Sequence, residues 1–252
     1  MQSKGDLTIS CSCRLNEVFK RGLLASRIPE EYWGASNNLI GTSAVLYEER
    51  LPANESKTKK EQSLSYSTKK IDINKFIDNI VKIILSGGSE SPNVLLFGAY
   101  GAGKTHIACA IGMAVIPNMR VRFSTSIHLG DLMHSIKRGS FSQMESVIDE
   151  YTDLGCADLL IIDDLGFETS TGDLSDAVFG GMRSLIRQRI GKTTIITTQN
   201  SPDGIISHYK NEMMSVFDGY YYKVNVVSGV DHRIVRGKKM VAALDREVFV
   251  DA

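Results

Sequence analysis

Apolar runs of strand length alternate with amphipathic stretches from Asn93 to Val227. Five runs fit strands: "NVLLF" (Asn93–Phe97), "VRFST" (Val121–Thr125), "DLLIID" (Asp158–Asp163), "TTIITT" (Thr193–Thr198) and "YKVNVV" (Tyr222–Val227). Helical spacing follows Lys104 and recurs over Ile127–Lys137, over Phe141–Tyr151 and through "GDLSDAVFGGMRSLIRQRI". Such alternation predicts an α/β fold, with a five-stranded parallel sheet covered by helices on both faces. Upstream, "INKFIDNIVKIILSGG" (Ile73–Gly88) reads as a helix stopped by Gly-Gly. A short helix is expected around Asn16–Ala25, ending near Pro29. Residues 51–70, "LPANESKTKKEQSLSYSTKK", are polar and predict an exposed connector. The chain therefore divides into an N-terminal extension (1–50), a polar connector (51–70) and an α/β domain (71–252), with no internal repeat.

Composition narrows the function classes. The 252 residues are 42% hydrophobic and 23% charged, ordinary for a globular chain. Lys+Arg and Asp+Glu are each 29, so the net charge is zero. That excludes a large basic field; nucleic acid would need a local patch, or an oligomer that aligns weak patches. No apolar run suits a bilayer span and the start is polar, so a soluble, cytoplasmic protein with no membrane partner is expected. Cys109 and Cys156 lie among apolar residues and are expected to be core thiols. Cys11 and Cys13 fall short of the four ligands a structural zinc requires; a site shared between two chains is the alternative.

The chemistry concentrates at strand ends. Gly98-Ala99-Tyr100-Gly101-Ala102-Gly103-Lys104-Thr105 follows a strand and opens a helix, the context a phosphate-binding loop needs. Its backbone N–H groups and the helix N-terminus would receive phosphate oxygens. Lys104 would reach the β- and γ-phosphates, and the Thr105 hydroxyl would hold Mg²⁺. "DLLIIDDLG" brings Asp163 and Asp164 to the C-terminal edge of the sheet, where ligands bind in such folds. There Asp163 would hold Mg²⁺ through water and Asp164 would orient or deprotonate the attacking water. In "TTIITTQNSPDG", Thr198, Gln199 or Asn200 could meet the γ-phosphate or that water; a plain turn is an equally good reading. In "VDHRIVRGKKM", Arg233 and Arg236 are candidates for nucleotide phosphate; Lys238 and Lys239 could meet nucleic acid, but a solvated helix end suits them better. His106, next to Thr105, is either a nucleotide contact or a packing residue on the helix face.

"GAYGAGKTHIACAIG", "VRFSTSIHLGDLMHSIKRGSF", "ADLLIIDDLGFETSTGDLSDAVFGGMRSLIRQRIGKTTIITTQNSPDGI" and "SGVDHRIVRGKK" together resemble the DnaC-like AAA+ ATPases. That group includes replicative-helicase loaders and the IstB transposition ATPases, and the resemblance covers about residues 90–240. "ASRIPEEYW" is similar to the segment that leads into the ATPase domain of helicase loaders, and "CSCR" to half of their cysteine-rich module. The resemblance implies a P-loop AAA+ (ASCE) three-layer sandwich with ATP and Mg²⁺ as cofactors. It makes Lys104 and Thr105 the Walker A pair, Asp163 and Asp164 the Walker B pair, Asn200 or Gln199 sensor I and Arg233 the sensor II arginine. It implies a homo-oligomer in the ATP state with ATP at subunit interfaces, contact with DNA, single-stranded for a loader, and a replicative helicase as partner. The alternative partner is a transposase. Lys137 and Arg138 align with a DNA-contacting segment of the group; a solvated helix end is the competing reading. One departure stands out. Ser215-Val216-Phe217 occupies the place of a Ser-Arg-Leu-like stretch, so the arginine finger is missing and slow hydrolysis is expected.

Overall fold

The computed structural model describes residues 12–36, 42–49, 66–87, 91–139, 144–167, 173–201, 204–205, 209, 217, 221–228, 231 and 233–234. All five expected parallel strands are present: β3 (Asn93–Phe97), β4 (Val121–Thr125), β5 (Leu159–Leu165), β6 (Thr193–Thr198) and β7 (Tyr221–Ser228). Two further strands, β1 (Thr42–Glu49) and β2 (Tyr66–Ile71), lie within the stretches read as extension and connector. They pair antiparallel, and β1 also pairs antiparallel with β7. The sheet therefore has seven strands rather than five, in the order β2-β1-β7-β3-β6-β5-β4. β2 escaped the apolar pattern because it is an edge strand with Thr68, Lys69 and Lys70 exposed.

Alternate residues of the central strands feed two cores. Val94, Leu96, Leu159, Ile161, Ile195, Val224 and Val226 face α1 (Ser12–Ser26), α2 (Ile73–Ser86) and α3 (Lys104–Val115). Leu95, Leu160, Ile162, Ile196 and Tyr221 face α4 (Ser126–Arg138), α5 (Met144–Cys156) and α6 (Asp173–Gln188). This period-two alternation, with both faces apolar, is what makes three layers. Every side chain of β3 and β6 is buried.

The helices start and stop on local chemistry. Asp72 caps α2, accepting from the backbone N–H groups of Asn74 and Lys75, and Gly87 ends it in the left-handed region. Thr125 caps α4 through His128 N–H. Beyond α1, Arg27 takes a left-handed φ of 61°. Buried Ile28 then leads into a single 3-10 turn, Glu30–Tyr32. One expectation about the core needs correction. Cys109 is buried, but Cys156, the last residue of α5, faces solvent. Cys11, the side chain of Cys13, and residues 235–240 with Arg236, Lys238 and Lys239 lie outside the described residues.

Candidate functional site

The strand order sets the site. β6 lies between β3, which carries the phosphate loop, and β5, which carries the two aspartates. Side chains at the C-terminal end of β6 can thus reach both. Thr197 does so: its hydroxyl donates to Asp163 Oδ1 at 2.6 Å and accepts from Asp164 N–H at 2.9 Å. From the loop side, Thr105 Oγ1 donates to the same Asp163 oxygen at 2.9 Å.

Two consecutive strand residues normally point to opposite faces. Here the pairing of β5 with β6 slips between Ile162 and Leu165, so that Asp163 and Asp164 together oppose Thr197. Asp164 pays with a left-handed φ of 54°, unusual for a residue with a Cβ. Neighbours hold it there. Ser126 Oγ donates to its carbonyl at 2.6 Å, and Phe167 N–H closes a turn onto the same oxygen at 3.3 Å. That turn has Gly166 at its third position with φ 108°, which a side chain would resist. The bulge lets Asp163 reach Thr105 while Asp164 lines the pocket.

The pocket is lined by Tyr32, Tyr100, Gly101, Gly103, Lys104, Thr105, His106, Asp164, Gln199 and Arg233. Lys104 is buried, and its ammonium donates to the carbonyls of Gly98 and Ala99 at 2.9 and 2.8 Å. Burial lowers its pKa, partly offset by Asp164 and Asp163. Burial likewise raises the pKa of Asp163, with the Asp164 charge adding to the rise and the Thr197 and Thr105 hydroxyls opposing it. Gly101 has φ 67°, and a Cβ there would lie 2.0 Å from Asp231 Oδ1. Asp231 also accepts from Arg233 N–H at 2.8 Å, which brings the C-terminal segment onto the loop.

Most of the expected residues converge on this pocket, with some distinctions. Gln199 lines it, whereas the Asn200 side-chain amide packs on Gly166, where a Cβ would sit 2.6 Å from it. His106 lines the pocket and its Nε2 lies 3.2 Å from Ser36 O. Ala102 is buried in the core rather than lining the pocket. Lys137 and Arg138 are exposed in the last turn of α4, where the helix dipole favours cations. Phe217 is buried against Tyr221, so that position of the expected finger stretch serves packing. Sequence reasoning missed Tyr32, Ser126 and Thr197. Tyr32 is half-buried beside the loop, and its pKa rises to about 12, chiefly through burial and then Glu31. Only "IPEEYW" upstream carried a signal for it.

The donor set fits Mg²⁺. Thr105 and Asp163 offer adjacent hard oxygens, and the buried Asp163 carboxylate has two hydroxyl donors. Among the described residues no group of three or more His, Cys, Asp or Glu could hold a metal by itself.

Known proteins share parts of this sequence and its fold. An insertion-sequence ATP-binding protein of Sinorhizobium fredii is 37% identical over 128 residues, 49% of this chain and 40% of that protein. The replicative helicase loader DnaC of Buchnera aphidicola is 30% identical over 138 residues, 46% of this chain and 50% of the loader. The chain thus spans half or less of the length of these relatives. A crystal structure of the DnaC helicase loader superimposes with a TM-score of 0.52 at 18% identity, covering 79% of this chain and all of that one, so the AAA+ P-loop fold is shared. Among the described residues no helix is long and apolar enough to cross a membrane. The model of the IstB-like ATP binding proteins matches residues 56–216, well over half of the sequence, and the chain belongs to that family, within the DnaC-like AAA+ ATPases.

Proposed function

We propose that this chain is an ATP-driven helper that loads a replicative helicase onto single-stranded DNA, with ATP binding and slow hydrolysis switching its assembly. The loop from Gly98 to Thr105 and the N-terminus of α3 receive the phosphates, and Lys104 meets their negative charge. Thr105 and Asp163 hold Mg²⁺, which would neutralise charge on the phosphate oxygens. Asp164 takes the proton of the attacking water or orients it, and Gln199 or Asn200 fixes the water or γ-phosphate. Arg233 adds a cation beside the pocket. Without an arginine at Ser215-Val216-Phe217, turnover is slow.

The observation that favours a loader is the lead-in segment. Ile28 to Ser36 runs from α1 to the phosphate loop, placing Tyr32 in the pocket and Ser36 O beside His106. Nucleotide occupancy is thereby joined to the N-terminal extension, the part that would meet a partner. The match to the insertion-sequence protein supports a second reading, in which the chain coats duplex DNA and recruits a transposase. Co-purification of the full chain decides between them. A loader captures a replicative helicase with ATP, and Lys104→Ala abolishes the capture. Filaments on duplex DNA with transposase stimulation would establish the second reading instead. Asp164→Asn abolishes hydrolysis and spares ATP binding; unchanged hydrolysis in that variant would refute the assignment.

A further inference from the structure

Two large aromatic side chains stand exposed against each other, and one of them, Tyr100, lines the pocket. Tyr100 is 58% exposed and Phe167 39%. Their rings meet edge to face, with centroids 6.5 Å apart and planes at 68°. Such exposure buries little apolar area, so the contact is a poor device for holding the fold together. Its position is informative. Tyr100 belongs to the phosphate loop, and Phe167 ends the turn that begins at Asp164. The pair is therefore a bridge between the loop and the strained bulge.

The rest of the bulge is held from the other side. Thr197 takes the Asp164 N–H, Ser126 donates to its carbonyl, and Asn200 packs on Gly166. These contacts come from β6, from the second residue after it and from the start of α4, all distant from the loop in sequence. The aromatic contact is a side-chain link from the phosphate loop to the far end of the Asp164–Phe167 turn, beside the Thr105 hydrogen bond to Asp163 and the attraction between Lys104 and Asp164 at its start.

We propose that the Tyr100–Phe167 pair is a positioning device, which sets the Asp164 carboxylate against a phosphate group seated in the loop. The inference rests on the ATPase reading above and deepens it. Phe167 touches no reacting atom; it acts through the backbone of Asp164. Displacing its ring would leave the loop competent to bind nucleotide and leave Asp164 less well aimed. The loss then falls on turnover and not on affinity.

The test uses the full chain. ATP turnover, KM, the Kd of a fluorescent ADP analogue and Tm are compared for the native protein, Phe167→Leu, Phe167→Tyr, Tyr100→Leu and the Tyr100/Phe167 double variant. Phe167→Leu is expected to lower kcat about threefold to tenfold, the range an edge-to-face pair can supply. KM and the analogue's Kd stay within about twofold. Phe167→Tyr restores kcat, and the double variant is no slower than the slower single variant, because both substitutions remove one contact. Native turnover in Phe167→Leu would overturn the proposal, as would a loss that multiplies in the double variant or one that tracks a fall in Tm. If the native protein hydrolyses ATP and Lys104→Ala does not bind it, those results leave the ATPase reading standing and sink only the bridge. If the native protein neither binds nor hydrolyses ATP, both fall together.

Discussion

Asp163 carries a conflict between stability and chemistry. It is 8% exposed, and its two hydrogen bonds, from Thr105 and Thr197, both end on Oδ1. Burial raises its pKa above the ordinary 3.8, so the folded state favours the protonated acid. In the window between 3.8 and the raised value the folded protein binds more protons than the unfolded chain, and stability falls as pH rises through it. Above the raised pKa the ionised carboxylate costs stability unless a cation compensates it. Asp163→Asn keeps an acceptor for both hydroxyls and removes the charge. Without nucleotide at pH 7 the variant should melt a few degrees above the native protein. That gap should close as pH drops through the raised pKa of Asp163, as followed by thermal denaturation across a pH series. The added stability that ATP and Mg²⁺ confer should be lost in the same variant. A variant that melts below the native protein at pH 7 would show that the carboxylate, not the hydroxyl network, holds this edge together.

Among the elements, the junction of α5, α6 and β6 is tied by one buried cation. Arg189 is 1% exposed and follows α6. Its guanidinium donates to the carbonyls of Leu154, Gly155 and Ala157 at the end of α5, to Thr193 O and to Thr194 Oγ1. Burial lowers its pKa to about 10, so it remains charged at neutral pH. The planar fork saturates carbonyls at a helix C-terminus, where a positive charge is favoured. Arg189→Met fills the space but strands those acceptors, and should cost about 3 kcal/mol or more in urea unfolding at 25 °C. A cost below about 1 kcal/mol would mean that water replaces the fork. Nothing in "LIRQRI" marks this arginine out, because its partners come from two other elements, the end of α5 and the start of β6. The same limit governs what the sequence could disclose elsewhere. The five parallel strands were legible because both faces are apolar, as in Leu159–Ile162. β2 was not, since an edge strand with exposed Thr68, Lys69 and Lys70 has no such run, and the short run Ala44–Tyr47 of β1 has polar neighbours on both sides. The loop and both aspartates were legible as local motifs. The bulge that aims them was not, because Thr197 and Ser126 join it only through the fold.

Across the whole molecule, the pocket and the N-terminal helix form one mechanical unit. α1 packs on the far end of α3: Leu23 is buried, and Gly22 approaches Ile116 so closely that a Cβ would lie 2.7 Å from its side chain. The Ser26 hydroxyl donates to Leu23 O and accepts from Ile28 N–H, and Arg27 pairs with Glu150 of α5. From there the lead-in segment folds on itself, with Trp33 Nε1 donating to Ile28 O at 2.8 Å, and delivers Tyr32 to the pocket. A ligand contacting Tyr32 therefore stabilises the segment and, through it, the seating of α1. Ligand at about 100 times its Kd stabilises the bound form by about 2.7 kcal/mol. That limits the slowing of amide exchange to about 100-fold for sites that open only when the pocket does. Saturating ATP should slow exchange in Ile28–Ser36 and in the last turns of α1 as well as in the phosphate loop. Tyr32→Ala should keep the protection of the loop and lose that of α1, because the loop lines the pocket directly and α1 is joined to it through the lead-in segment. Equal exchange in α1 with and without nucleotide would mean that the helix is fixed to α3 regardless of ligand. The N-terminal helix would then carry no information about the pocket.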